Sequence, residues 1–360
     1  MIVHAADAHL GLVRYSKIDA ETGQNLRGQD FLAAFGELCE HVVETRPDLF
    51  LFSGDLFDRV NPTNYVRRAV QQRLFDISSA HIDTIIISGN HETPRSRGVS
   101  NPLILYRDIP HVRIVLSPWE GEAGGYHVRA VPFVPSPQEH LGMPPHRPGT
   151  VLMMHTAIQG ARVGSERFMS FDEMLLSPVE IPPYEYVALG HIHKHQVLDS
   201  SPSTLAYPGA LERYDFNEVG EEKGFIVYDG DVEHVPVTTR RMVSRVVVAD
   251  GLRGYEITDA ALDVLGGLDL SNAVVRLEIA GLLDDIERRT INFAAIRAAG
   301  SSAAFFTLVD RTLPDTPDAC APEPLVSPVP ELERYLRMTG HYQERVMGRG
   351  TAIIEGRADR

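Results

Sequence analysis

The apolar and polar positions in the first half of the chain alternate between two kinds of segment. Short, almost wholly apolar runs predict buried β-strands, as in "MIVHAA" (1–6), "DLFLFSG" (48–54) and "IDTIIISG" (82–89). Between them, "DFLAAFGELCEHVVE" (30–44) and "YVRRAVQQRLFDIS" (65–78) carry apolar residues at helical spacing. This alternation predicts βαβ units, in which an at least partly parallel sheet is covered by helices.

Further strand-like runs follow at shorter intervals and predict a second sheet. Together the two sets of strands predict one α/β domain over residues 1–240, with two sheets flanked by helices. The later runs are "YHVRAVPF", "TVLMMH", "YEYVALGHI", "STLAYPG" and "GFIVYDGDVEHVPV".

The pattern changes after residue 240. Strand-like and helix-like runs over 241–312 predict a small separate α/β domain. The proline-rich stretch "LPDTPDACAPEPLVSPVP" then predicts an extended linker over 313–330. The tail, 331–360, places apolar residues on one side of short helical turns. Packing against its own domain and docking onto another protein are both compatible with that pattern.

The composition narrows the class of protein. The 360 residues carry a formal net charge of −15, which argues against passive coating of nucleic acid but not against local, metal-assisted contact with DNA. Two cysteines, Cys39 and Cys320, cannot build a disulfide framework. No apolar run approaches the roughly 20 residues of a membrane span, and the first residues do not resemble a signal peptide. We therefore expect a cytoplasmic protein without membrane association.

Donor side chains follow the ends of five predicted strands. One such residue is more often an ordinary hydrogen-bonded side chain, but coincidence explains five strand ends poorly, because sites in open α/β sheets form where strands end. Residues two apart in a strand face the same way, so His191 and His193 are expected to reach one point. The candidates are Asp7, His9, Asp55, Asn90, His91, His155, His191 and His193.

The chemistry of these donors indicates a metal site. Imidazole, carboxylate and amide oxygen suit Mn²⁺, Fe or Zn²⁺, and the lack of thiolate argues against a structural zinc site. The donors exceed what one metal needs and suit two. Metals about 3.5–4 Å apart can clamp a phosphoryl group and generate a hydroxide near neutral pH. The neutral amide of Asn90 leaves such a site a small positive charge, which suits a phosphodiester.

The order of the motifs resembles the signature of calcineurin-like metallophosphoesterases: D-x-H, G-D-x-x-[DH], G-N-H-[DE], an isolated H, and G-H-x-H, over residues 7–193. "HAADAHLG", "LFSGDLFDRVNPT" and "ISGNHE" more closely resemble the SbcD-type DNA repair nuclease subunit. The resemblance implies a two-sheet metallophosphoesterase sandwich over 1–240 and a DNA-capping domain over 241–312. It also implies a partner-binding helical tail over 331–360.

The same resemblance implies roles for the candidate residues. His91 would not bind metal but would act on the scissile phosphate as the catalytic residue. Two divalent metals, for which the family indicates Mn²⁺, would share Asp55 as a bridge. The first would be held by Asp7, His9, Asp55 and His193, and the second by Asp55, Asn90, His155 and His191.

Three further polar residues stay outside this set. Asp58 stands where archaeal and eukaryotic relatives carry histidine and where the bacterial branch carries aspartate. It either orients His91 or is an ordinary cap or loop residue. His195, one step beyond the motif, is expected to lie behind the ligands or at the surface, and His4 in the core.

The function that the resemblance implies is a Mn-dependent DNA exonuclease and endonuclease of double-strand break repair. It would process DNA ends or hairpins by direct attack of a metal-activated hydroxide, as a homodimer bound through its tail to an SbcC-type SMC-like ATPase. A metallophosphatase or small-molecule phosphodiesterase of the same superfamily is one alternative, and a DNA-end-binding scaffold is another. The physiological metal, the polarity of cleavage, the balance of endo- and exonuclease activity and ATP dependence stay open.

Overall fold

The structure is a computed structural model that describes residues 1–19, 22–96, 98–162, 176–314, 328–338 and 341–354. Its strands are β1 (Ile2–Ala5), β2 (Leu49–Phe52), β3 (Asp83–Ile87), β4 (Val112–Val115), β5 (Trp119–Ala123), β6 (Tyr126–Val131), β7 (Thr150–His155), β8 (Tyr186–Gly190), β9 (Gln196–Ser200), β10 (Ser203–Tyr207), β11 (Gly224–Tyr228), β12 (Val232–Pro236), β13 (Met242–Val248), β14 (Val274–Leu283) and β15 (Phe305–Pro314). Its helices are α1 (Leu26–Thr45), α2 (Asn64–Ser79), α3 (Gly254–Gly266), α4 (Asp285–Thr290), α5 (Phe293–Ala299), α6 (Pro328–Met338) and α7 (Glu344–Ile354).

Two six-stranded mixed sheets form the larger part of the molecule. The first has the order β12-β11-β1-β2-β3-β4, and β1 to β4 run parallel in it. The second has the order β5-β6-β7-β8-β10-β9, in which β6, β7, β8 and β10 run parallel. Apart from β4, these parallel strands lie in the apolar runs of the sequence, as expected for strands buried on both faces. The predicted architecture of two sheets flanked by helices is confirmed.

Apolar side chains fill the space between the two sheets and the space outside the first sheet. Ile85 and Met153 belong to the core between the sheets. Phe35 of α1 and Leu74 of α2 belong to the core on the outer face of the first sheet. Burial of side chains of this size stabilises the fold by roughly 1.5–3 kcal/mol each before conformational entropy is counted. The core therefore fixes the position of the strand ends that carry the polar candidates.

A third sheet, with the parallel order β13-β14-β15, lies in the C-terminal part of the chain. It has its own apolar core, to which Ile257, Leu277 and Ile296 belong. The ring of Tyr15 stacks on Phe305 at the start of β15, with the ring centroids 4.5 Å apart. The C-terminal unit is therefore joined to the first domain by the backbone and also contacts it through the loop that carries Tyr15.

The structure describes the predicted linker, 313–330, only at its two ends. Leu313 and Pro314 still pair with β14, because a proline at the end of an edge strand costs no ladder hydrogen bond. Pro328 begins α6, since proline is favoured in the first turn of a helix. Residues 315–327 lie outside the described part of the chain. None of the helices that the structure describes is both long and apolar enough to cross a lipid bilayer.

Candidate metal centre

The loops that follow β1, β2, β3, β7 and β8 meet at one edge of the two sheets. A side chain at Gly190, the last residue of β8, would place its β-carbon 1.9 Å from the carbonyl oxygen of Ser53. At Gly54, which has φ +90°, a β-carbon would lie 2.3 Å from Nδ1 of His155. The sheets therefore approach closely here because both positions lack a side chain.

The first group of donors combines the loops after β1 and β8. Nε2 of His9 and Nε2 of His193 lie 2.9 Å apart. Asp7 offers a carboxylate oxygen to the same group, in which the donor atoms all lie within 4.8 Å of one another. The carboxylate of Asp7 also accepts hydrogen bonds from the backbone N–H of His191, at 3.0 and 3.1 Å. The two loops are thereby joined beside the donors.

The second group combines the loops after β3, β7 and β8. Oδ1 of Asn90 lies 2.9 Å from Nε2 of His155 and 3.1 Å from Nδ1 of His191. Asp55 lies between the two groups, because its Oδ2 is 3.4 Å from Nε2 of His155 and 4.0 Å from Nε2 of His9. All seven predicted ligands therefore come together, and Asp55 has the intermediate position that a bridging ligand requires.

The spacing of these atoms fits bound metal ions. Two ligand atoms that share a metal at about 2.1 Å, at roughly right angles, lie about 3 Å apart. The distances of 2.9 and 3.1 Å within each group match this value. The donor types and their spacing therefore fit a pair of divalent cations.

Burial and mutual charge control the protonation of these donors. Burial raises the pKa of Asp7 to about 6. Burial alone would lower the pKa of His155, but the neighbouring Asp55 raises it to about 9. Burial works against the ionised form of Asp55 as well, yet the charge of His155 holds its pKa well below the usual range. A divalent cation bound here would have to displace the proton of His155, because only a neutral imidazole can coordinate a metal.

The sequence profile of the calcineurin-like phosphoesterases matches residues 1–195, more than half of the chain. The chain belongs to this family. The predicted ligands all lie in the matched region, and the fold of two mixed sheets with flanking helices agrees with it. The chain is therefore a phosphoesterase, and the family resemblance expected from the motifs is confirmed.

Several relatives of this phosphoesterase are described as DNA double-strand break repair protein Mre11. The one from Archaeoglobus fulgidus is 27% identical over 346 residues, which cover 82% of this chain and 73% of that protein. The one from Methanocaldococcus jannaschii is 27% identical over 266 residues, 68% of each chain. A dimetal phosphatase from Danio rerio is a similar solved structure, with 12% identity, a TM-score of 0.35, and coverage of 62% of this chain and 90% of that one.

The two histidines after β8 point in different directions. β8 ends at Gly190, and His191 has a φ of 100°, so neither histidine follows strand geometry. His191 faces Asn90, whereas His193 faces His9. The prediction that strand periodicity brings both rings to one point is therefore wrong. The turn in the backbone assigns them to separate halves of the phosphoesterase site.

His91 lies beside the donors and keeps contact with solvent. Its side chain is 24% exposed, and its Nδ1 donates a hydrogen bond to the carbonyl oxygen of Asp58 at 2.9 Å. Nε2 is then the ring atom that remains for a substrate. The carboxylate of Asp58 lies 3.9 Å from Nδ1 of both His91 and His9. The hydrogen bond to His91 comes from the backbone of Asp58, so both alternatives for the Asp58 side chain stay open.

Glu92 connects two of the loops that carry donors. It is fully buried, and its carboxylate accepts hydrogen bonds from the backbone N–H groups of Phe57 and Gly89, each at 2.8 Å. Burial raises the pKa of Glu92 to about 8. Glu92 therefore fixes the loop after β2 against the loop after β3 without reaching the donor atoms itself.

Two further residues support the site and were not found by the sequence analysis. Glu218 accepts a hydrogen bond from Nδ1 of His193 at 3.0 Å, and Lys223 lies beside it. Neither residue belongs to the phosphoesterase motifs that follow the strand ends. A buried ion pair also leaves no trace in the spacing of apolar residues along the sequence. The nearest signal is the run of acidic residues and one lysine in "NEVGEEKG", which composition alone marks as a solvated loop.

The two histidines set aside in the sequence lie outside the site, as expected. His4 bonds through Nδ1 to the hydroxyl of Tyr186 at 2.8 Å and through Nε2 to Ser53 Oγ at 3.0 Å, inside the core. Nδ1 of His195 donates to the carbonyl oxygen of Tyr207, and its ring stacks on His234. Proximity in sequence to the ligands therefore does not make a histidine part of the centre.

Proposed function

We propose that this phosphoesterase is a Mn²⁺-dependent DNA nuclease that acts in double-strand break repair, on DNA ends or hairpins. The observation that carries the proposal is the convergence of six donors around Asp55, with His91 beside them at a solvent-accessible position. The similarity to DNA repair proteins supports a DNA substrate, because it covers 82% of the chain and so extends beyond the phosphoesterase region.

The proposed site divides its residues between two metals and one catalytic group. Two bound divalent metals would neutralise the phosphodiester and supply a nucleophile near neutral pH. Asp55 would contact both, and the uncharged amide of Asn90 keeps the site positive for an anionic substrate. The first metal would be held by Asp7, His9, Asp55 and His193, and the second by Asp55, Asn90, His155 and His191.

His91 is proposed as the catalytic residue. Its Nδ1 is held by the Asp58 carbonyl, so the orientation of the ring is set before a substrate arrives. A proton on Nε2 can stabilise charge on the scissile phosphate and pass to the leaving oxygen. Its backbone N–H donates to Oδ1 of Asp55 at 2.9 Å, which fixes the distance between the catalytic ring and the bridging carboxylate.

The proposed partners are a second copy of the chain and an SMC-like ATPase. Large apolar side chains are exposed near α2 and the segment after it, where Phe75 is 43% and Leu105 57% exposed, and this supports a homodimer through that surface. In the tail, Tyr335 is 62% and Val346 44% exposed, which supports docking of α6 and α7 onto the ATPase. The division into nuclease domain (1–240), capping domain (241–312) and tail (331–360), and the cytoplasmic location, belong to the same proposal.

The test compares substrates with metal-stripped protein. Labelled double- and single-stranded DNA and a generic phosphomonoester are each incubated with the protein, with and without added Mn²⁺. We expect cleavage of DNA that requires Mn²⁺ and little turnover of the monoester. Turnover of the monoester without cleavage of DNA would replace the nuclease by a phosphatase. Binding of DNA ends without any hydrolysis would instead leave the protein a scaffold.

A further inference from the structure

A buried ion pair lies behind His193. Glu218 is fully buried and Lys223 is 2% exposed. Their side chains are 2.8 Å apart, from Nζ to Oε2. The other carboxylate oxygen of Glu218 accepts from Nδ1 of His193, and Nζ of Lys223 donates to the backbone carbonyl of the same histidine at 2.9 Å. One histidine is thus held at both its ring and its backbone.

The contact with Glu218 determines which ring nitrogen of His193 can bind a metal. A proton on Nδ1 is held by the carboxylate, so the lone pair is on Nε2, which faces Nε2 of His9 at 2.9 Å. Nζ of Lys223, 2.8 Å from Oε2, gives the Glu218 carboxylate a cationic partner.

The charge of Lys223 does not by itself explain why Glu218 is buried here. Nζ of Lys223 has a second carboxylate partner, Glu221, also at 2.8 Å and with its side chain 15% exposed. Burying the charge of Glu218 costs free energy, and the attraction to Lys223 offsets this cost only if well-placed hydrogen bonds are also made. Glu218 makes such bonds, to the ring of His193 and to the backbone N–H of Tyr214 at 2.9 Å.

We infer that Glu218 and Lys223 are positioning residues that fix the tautomer and orientation of His193, so that Nε2 is presented to the first metal. The inference rests on the proposed function, in which His193 is a metal ligand. It adds two residues that lie outside the phosphoesterase motifs. Carboxylates that hold a ligating histidine typically change metal affinity by about 10- to 100-fold when they are replaced.

The test measures Mn²⁺ binding by titration calorimetry on metal-stripped protein. Glu218→Gln keeps the shape of the side chain but removes its charge, and we expect about 10- to 100-fold weaker binding at one of two sites. Glu221→Gln is the matched control, because it also removes a partner of Lys223 but does not touch His193. Its affinity should stay within about 2-fold of the original protein.

The double variant Glu218→Gln with Lys223→Met separates positioning from charge balance. If Glu218 only compensated the lysine, removal of both charges would restore Mn²⁺ affinity, and the inference would be wrong. We expect the affinity to stay low. Nitrogen-15 NMR of the metal-free histidines gives a second readout: Nδ1 of His193 should be the protonated nitrogen in the original protein, and a mixture of tautomers should appear in Glu218→Gln.

The outcomes distinguish this inference from the proposed function. A folded Glu218→Gln variant that binds Mn²⁺ within about 2-fold of the original protein and keeps one His193 tautomer would overturn the inference alone. An original protein that binds no Mn²⁺ at all would overturn the proposed metal centre. Thermal unfolding of each variant, compared with the Glu221→Gln control, establishes that the variants are folded.

Discussion

At the scale of single residues, the metal centre depends on unusual backbone conformations. Asp7, His9 and Asp55 have φ values of 53°, 43° and 53°, in the left-handed region that residues other than glycine seldom adopt. Such conformations cost on the order of 1–3 kcal/mol each and persist where the surroundings impose them. Here the backbone N–H of His9 donates to the carbonyl of Asp55 at 3.0 Å, so the loops after β1 and β2 hold each other.

Replacement of His91 tests the catalytic role proposed for it. His91→Gln should lower the rate of DNA cleavage by about 100-fold or more, as expected for the loss of a positioned acid. Mn²⁺ binding should persist, since the backbone N–H bond to Asp55 does not depend on the ring. Single-turnover cleavage measured beside metal titration checks both points. His146→Gln, at an exposed histidine, is the control, and cleavage by His91→Gln at the rate of this control would refute the assignment.

Residue types and strand ends were enough to predict which side chains gather, but not how each one points. The seven predicted ligands meet because the apolar runs before them are core strands whose ends lie at one edge. The directions of His191 and His193 depend on a backbone turn after Gly190 that no periodicity encodes. Glu218 comes into contact with His193 only when the chain folds, because it lies in a separate loop. Nothing in the sequence around Glu218 therefore indicates its role.

At the scale of elements, buried strands and amphipathic helices were predictable, whereas the two edge strands of the second sheet were not. β1, β2, β3, α1 and α2 agree with the apolar pattern to within a few residues. β5 and β9 lie at the two edges of the second sheet, and "WEGEA" and "QVLDS" carry no apolar run because one side of an edge strand faces solvent.

Arg240 connects the first domain and the C-terminal sheet at the start of β13. Its Nε and Nη2 donate to the two carboxylate oxygens of Asp30, each at 2.7 Å, and Nη1 donates to the carbonyl of Asn272 at 3.2 Å. The side chains of Arg240 and Asp30 are only 11% and 10% exposed. A bidentate pair shielded from water in this way is strong compared with a surface ion pair.

Loss of this connection should destabilise the protein. Arg240→Met should lower the free energy of unfolding by about 2–4 kcal/mol, because it leaves a buried carboxylate short of one partner. The neighbouring Arg241→Met is the matched control: its pair with Asp269 is 47% and 66% exposed and should contribute less than about 1 kcal/mol. Urea denaturation of both variants measures the difference. Equal losses in the two variants would mean that Arg240 does not join the two parts.

At the scale of the whole molecule, a net charge of −15 is combined with a metal centre that supplies local positive charge. The expectation that DNA contact depends on metal rather than on a basic surface therefore stays part of the proposal.

The interior of the sandwich also buries side chains whose protonation depends on pH. His4, on β1, is fully buried, and its ring bonds to Ser53 after β2 and to Tyr186 of the second sheet.

The stability of the fold should fall in mild acid because of His4. Burial lowers the pKa of His4 to about 3, from an ordinary value of 6.5. Below pH 6.5 the unfolded chain takes up a proton that the folded chain does not, so stability decreases as the pH falls toward 3. His4→Gln should remove up to about 1.4 kcal/mol per pH unit of this dependence, measured on metal-free protein between pH 6 and 4. An exposed control, His341→Gln, should keep the original slope, and an unchanged slope in His4→Gln would contradict this role.

The most direct test of the proposed two-metal centre is anomalous diffraction from crystals of the protein grown with Mn²⁺. We expect two anomalous peaks about 3.5–4 Å apart, with Asp55 in contact with both. One peak should lie against His9 and His193, and the other against Asn90, His155 and His191. A single peak, or two peaks that leave Asp55 unbound, would contradict the two-metal centre on which the proposed DNA cleavage depends.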